Sequence, residues 1–153
     1  MSLHVVTGSV DSGKTTFLAE LYGSVGRGVG ILAPKVYSAD GRFEGYDAVV
    51  LPEGERFPLA RVGRSPRFRL GGGRFGFDPE AFRRICVKLC SRQWSGPLWI
   101  DEIGAIEIAG GGLAPVLRKA SSLGTDIYAC VRPSLVLPVA VIFALPLKEI
   151  IVR

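Results

Sequence analysis

Apolar and polar positions alternate along the chain in short blocks broken by glycine and proline. Leu3 to Thr7 is a β-rich run that stops at Gly8, and a helical pattern follows from Lys14 to about Tyr22. After the glycine-rich break Gly23–Gly30, Val29 to Val36 reads as a second strand weakened at its end by Pro34. Asp40-Gly41 marks a hairpin-type turn between Tyr37 and Phe43, and Tyr46 to Leu51 reads as a further strand. Pro52 to Gly76 is rich in Gly, Pro and Arg and predicts short strands or hairpins and a mobile, lid-like insertion.

The clearest helix is predicted over Asp78 to Trp94. Asp78 can cap its start, Pro79 suits its first turn, and Phe82, Ile85, Cys86 and Leu89 form one apolar stripe. Ser95-Gly96-Pro97 stops it. Leu98 to Ile100 is an apolar strand that ends at Asp101-Glu102, and Gly110–Gly112 is another break. Leu113 to Leu123 reads as a helix ended by Gly124, Asp126 to Val131 as a strand, and Leu147 to Val152 as a last strand beyond an ambiguous tail from Pro133. Strands alternating with helices predict an α/β protein in three layers around a mostly parallel central sheet.

The chain of 153 residues fits a single domain, 1–153, and a hydrophobic share of 48% suits an ordered globule. The first residues run straight into a strand, so no targeting leader is expected. The apolar stretch Leu135–Leu145 is interrupted by Pro138 and falls short of the ~20 residues a bilayer span needs. A cytoplasmic protein without a membrane span is the expectation. Cys86, Cys90 and Cys130 form no CxxC pair and read as reduced, buried thiols; His4 reads as a packed strand residue. The net charge of +5 comes from 14 arginines and 5 lysines against 14 acidic residues. A basic surplus can mean nucleic acid. Here the arginines gather between Arg56 and Arg74 without a local aromatic pattern or a reader motif, so nucleic acid ranks below a phosphate-facing lid.

The sharpest chemistry lies at the start. Gly8-Ser9-Val10-Asp11-Ser12-Gly13-Lys14-Thr15 matches the P-loop pattern GxxxxGK[ST] between a predicted strand and a predicted helix. Glycines let the backbone wrap a phosphate, successive N–H groups form an anion nest, and the helix aims its positive end at the same place. All eight residues are nucleotide-binding candidates. Lys14 is placed to reach the β- and γ-phosphates, Thr15 to put its hydroxyl on magnesium, and Thr16 to bond the α-phosphate. The strand-end Asp101 fits the metal side of such a site, and Glu102 fits the residue that orients or deprotonates an attacking water.

Several of these motifs together resemble the P-loop nucleoside-triphosphatases first known from thermophiles, also called cancer-related nucleoside-triphosphatases. The resemblance rests on the N-terminal P-loop, on Asp101-Glu102-Ile103-Gly104-Ala105-Ile106-Glu107, on Gly73-Arg74-Phe75-Gly76-Phe77-Asp78 before the long helix, and on Ala129-Cys130-Val131-Arg132. It implies a RecA-like core and magnesium-dependent hydrolysis of nucleoside triphosphates to diphosphate and phosphate, with broad tolerance of the base. The chain departs from the family pattern at Pro34-Lys35, where acidic residues are common, and in the apolar stretch after Arg132.

An arginine on the γ-phosphate would complete the site, and Arg132 is the catalytic candidate with Lys14 and Glu102. Arg74 is a second candidate, Arg67 and Arg69 weaker ones, and Glu107 reads as a structural support. Two other functions share the scaffold: a nucleotide or small-molecule kinase, and a nucleotide-switched module that binds RNA or protein. Base preference and oligomeric state are open at this stage.

Overall fold

The computed structural model describes residues 1–9 and 12–153. In chain order the elements are β1 (Leu3–Thr7), α1 (Lys14–Val25), β2 (Val29–Leu32), β3 (Lys35–Tyr37), β4 (Phe43–Leu51), β5 (Glu55–Val62), β6 (Phe75–Phe77) and α2 (Pro79–Cys90). There follow β7 (Leu98–Ile103), α3 (Ala105–Ile108), α4 (Ala114–Leu123), β8 (Ile127–Val131), a 3-10 turn over Pro133–Leu135, α5 (Val136–Ile142) and β9 (Leu147–Val152).

One sheet runs in the order β6-β5-β4-β2-β7-β8-β1-β9, with β3 paired to β4. The central strands β2, β7, β8, β1 and β9 are mutually parallel. On the far side of β2 the sheet continues as an antiparallel wing, β3 to β6. The period-2 geometry of strands sorts the core residues between two faces. Leu3, Val5, Leu98, Ile100, Ala129 and Val131 pack in one cluster with α2, α4 and α5. Their neighbours Val6, Trp99 and Cys130 pack in a second cluster with Leu18 of α1. The helices therefore cover both faces, which is the three-layer arrangement the alternating pattern predicts. Covered on both faces, β1 is buried along its whole length, His4 and Thr7 included.

Helix α2 begins as the sequence predicts: the Asp78 carboxylate accepts a hydrogen bond from Glu80 N at 3.0 Å. It ends at Cys90 rather than Trp94. Side chains there replace the helical partners of its last carbonyls. Trp94 Nε1 donates to Leu89 O at 2.8 Å, and Arg92 Nε donates to Lys88 O at 3.2 Å. The tail from Pro133 resolves into a turn, the short α5 and β9, which pairs in parallel with β1. In the lid-like stretch 52–76, residues 55–62 form β5 within the sheet, which leaves 63–74 as the loop. Among the described residues, no helix is long and apolar enough to cross a membrane.

Candidate active site

The C-terminal ends of β1, β7 and β8 gather the residues that the motifs single out. Between β1 and α1, Gly13 takes the left-handed conformation (φ 85°) immediately before Lys14, a backbone state that side chains resist. Among the described residues no side chain caps the N-terminus of α1, and its first turn holds no acidic residue. That helix end presents its N–H groups and positive dipole toward the loop. Lys14 folds back over the loop, where Nζ donates to Gly8 O at 3.1 Å and Ser9 O at 3.0 Å. Ser12 Oγ is buried without a hydrogen-bond partner among the described residues. A buried hydroxyl left unpaired costs about 1–3 kcal/mol, a debt that a phosphate oxygen would cancel. Thr15 and Thr16 sit in the first turn of α1. Val10 and Asp11, the other P-loop candidates, lie outside the described residues.

Asp101 meets this loop from β7. Thr15 Oγ1 donates to Asp101 Oδ1 at 3.2 Å, a contact between residues 86 positions apart. The backbone N–H of Ala33 donates to Asp101 Oδ2 at 3.0 Å. Burial to 7% exposure pushes the Asp101 carboxyl above its ordinary range. The hydrogen bonds from Ala33, Thr15 and Cys130 pull it back in part. The Cys130 thiol, at the end of β8, is raised by its own burial and by the charge of Asp101. A hydroxyl and a carboxylate are hard oxygen donors of the kind magnesium prefers, and a cation would favour the ionised form of Asp101. No cluster of three or more His, Cys, Asp or Glu forms among the described residues. Thr15 and Asp101 are thus the residues of this site that could hold a magnesium ion.

Strand β7 does not stop at Ile100 as the pattern predicts. Its register with β8 shifts between Ile100 and Ile103, which is the signature of a bulge. Within it Glu102 adopts φ 81°, a left-handed state that costs a non-glycine residue about 1–2 kcal/mol. The bulge turns Glu102 outward, half exposed, while Asp101 stays buried. Arg132, just past β8, places Nε 3.3 Å from Glu102 Oε1. The next turn is braced by Glu107, which is buried and accepts from Gly104 N at 2.9 Å and Leu113 N at 3.0 Å. Gly112 (φ 54°) is required beside it, because an added Cβ would lie 2.0 Å from Glu107 Oε2.

Of the arginines weighed from the sequence, only Arg132 meets the acidic pair among the described contacts. Arg67 Nε pairs with Asp78 at 3.1 Å, and Arg69 donates to Pro66 O at 3.0 Å. The Arg74 guanidinium lies 5.5 Å from the centres of both the Phe43 and Phe75 rings. The sequence offered no sign of the Ala33 N–H, since a backbone donor carries no residue signature. Cys130 was legible only as a buried thiol. Away from the site, Cys86 Sγ contacts Gly112 O at 3.3 Å and burial pushes its thiol up to about 11. His4 stacks on Tyr128 at 4.3 Å.

Comparison with known proteins adds two findings. The profile of one protein family, described as NTPase, matches residues 4–139. The crystal structure of THEP1 from the hyperthermophile Aquifex aeolicus superimposes with a TM-score of 0.69, at 17% sequence identity over 99% of this chain and 88% of that one. No curated protein matches the chain. At that identity the structural likeness speaks for the fold.

Proposed function

The chain belongs to the NTPase family, and on that premise we propose that it hydrolyses nucleoside 5'-triphosphates to diphosphate and phosphate, with magnesium and with broad tolerance of the base. The observation that carries this reading is the Thr15–Asp101 contact, which joins the phosphate loop to the acidic end of β7. A triphosphate entering the loop meets the N-terminus of α1, the Ser12 hydroxyl and Lys14. Lys14 exchanges the carbonyls of Gly8 and Ser9 for β- and γ-phosphate oxygens. Thr15 and Asp101 would hold magnesium, which when bound would neutralise charge on the triphosphate.

Glu102 is the water-handling residue in this reading. Its carboxylate accepts a proton as the water oxygen bonds to the γ-phosphorus and the bond to the β,γ-bridging oxygen breaks. Arg132 begins paired with Glu102, and phosphate oxygens bearing more negative charge compete for it. Its transfer to the γ-phosphate frees the carboxylate and offsets charge in the transition state. A cytoplasmic setting belongs to the same reading, since Cys86, Cys90 and Cys130 are free thiols.

Phosphate release from ATP, GTP, CTP and UTP, with magnesium and with a chelator, tests the whole. All four should release phosphate within about ten-fold of one another, and the chelator should abolish it. Silence with every triphosphate would overturn the hydrolytic reading, and one strongly favoured base would overturn the broad specificity.

A further inference from the structure

We propose that the antiparallel wing is a binding surface for single-stranded nucleic acid, whose bases stack on Tyr37, Phe43 and Phe75 beside Arg74. Four aromatic residues from three strands, β3, β4 and β6, meet there. Phe43 lies 5.9 Å from Tyr37, 5.4 Å from Tyr46 and 5.8 Å from Phe75, and Tyr46 lies 5.3 Å from Phe75. Tyr37 is 56% exposed, although a tyrosine ring gains most when it is covered. Arg74 lies against two of these rings, and Arg61 and Arg67 lie against Phe68 at 5.6 and 5.0 Å. Phe43 and Phe75 are half-buried beside Arg74, and arginine set against an exposed tyrosine and partly open phenylalanine rings is chemistry that holds unpaired bases and their phosphates without reading sequence.

Charge favours the same occupant. Residues 61–74 contain five arginines and no acidic residue. Arg61 and Arg67 are matched by Asp47 and Asp78. Arg64 and Arg69 instead donate to backbone carbonyls, which leaves their positive charge available to phosphates. Asp40 and Glu44 lie on the same β3–β4 hairpin as Tyr37 and Phe43, so the phosphates of the strand are drawn to the Arg61–Arg74 side of these rings.

Position separates this surface from the site of the substrate's own base. The β2–β4 pairing ends at Leu32 and Val49, after which β4 pairs with β3. The hairpin therefore rises past the C-terminal end of β2, on the edge that carries Asp101 and Glu102. The phenol of Tyr46 is held above its ordinary range by burial and, after that, by the charges of Glu102 and Asp101. The wing and β7 lie on one side of β1, and β9 lies on the other. With the γ-phosphate directed at Glu102, the nucleoside leaves toward β9, away from the wing. Only this last step rests on the hydrolytic reading.

The test uses the full chain and a fluorescein-labelled oligouridine of about 12 nucleotides, followed by anisotropy without any triphosphate. Binding is expected, falling steeply between about 50 and about 200 mM salt. Tyr37→Ala should weaken it about ten-fold, Tyr37→Trp should preserve it, and Arg74→Gln should weaken it independently. Tyr37→Ala should leave phosphate release from triphosphate unchanged, so failure of the wing and failure of the hydrolytic site read out separately. The proposal falls if the oligomer does not bind at low salt, or if a duplex of equal length binds as well. It also falls if both variants bind like the parent, or if UMP displaces the oligomer at similar concentration, which would mark a mononucleotide site.

Discussion

In the parallel half of the molecule, Asp101 on β7 and Glu107 on α3 are buried, and burial pushes both carboxyl groups above their ordinary range. At the root of the antiparallel wing, Glu53 and Glu55 are held below it, chiefly by hydrogen bonds from Arg92 and Lys88. The first pair is expensive to ionise and is kept in place by backbone N–H groups and the Thr15 hydroxyl. The second pair is partly exposed, beside Arg84 and Lys88 of α2 and Arg92 just beyond it. The parallel half spends folding energy on a fixed geometry for chemistry, whereas the wing, joined to the sheet through β2–β4 pairing and the buried Ala48, Val50, Phe57 and Leu59, keeps its charged pairs in partly solvated contacts.

The largest expected effect lies in the half that carries the chemistry. Lys14→Ala should reduce both nucleotide affinity and phosphate release, the latter by roughly a thousand-fold, measured by calorimetry and single-turnover assay. Glu102→Gln should lower turnover by about a hundred-fold or more while nucleotide binding survives. Normal hydrolysis by this variant would remove Glu102 from its role and blur the contrast between the halves.

Glu107→Ala leaves the N–H groups of Gly104 and Leu113 without their buried acceptor. It should cost about 3 kcal/mol in denaturant-unfolding experiments. A loss as small as that of a surface carboxylate would show that burial is not what distinguishes the two regions.

The subtlest test is the sign of the pH dependence. Glu107 has a raised value in the fold, so the folded state holds its proton more tightly than the unfolded chain. Its contribution is full below the unfolded value and is lost as pH rises through the folded one. Glu53 and Glu55 have lowered values, so theirs is present above the unfolded value and lost as pH falls through the folded one. In unfolding measured across the acidic range, the advantage of the parent over Glu55→Gln should shrink on acidification. Its advantage over Glu107→Gln should grow. Parallel trends in the two series would contradict the comparison.

The same division explains what could be read from the sequence. Motifs of the parallel half are contiguous: the P-loop between strand and helix, Asp78-Pro79 at the start of α2, and the run that becomes β9 all carry their meaning within a few residues. The convergence of Lys14, Thr15, Asp101, Glu102 and Arg132 follows from strand order in a parallel sheet. The bulge at Glu102 was not legible, because register depends on the partner strand β8. Nor was the aromatic surface. Tyr37, Phe43, Tyr46 and Phe75 become neighbours only through antiparallel pairing of β3, β4, β5 and β6, so no window around Arg56–Arg74 contains them all.

The backbone at Glu102 sets two selective pressures against each other. Its left-handed geometry is one in which glycine is at ease and glutamate is not. A chain drifting under demand for heat resistance alone would settle on glycine there and become a sturdier, silent fold. Under the proposed chemistry, what holds an acid at this position is turnover, so the most strained carboxylate in the bulge marks where persistence and work part company.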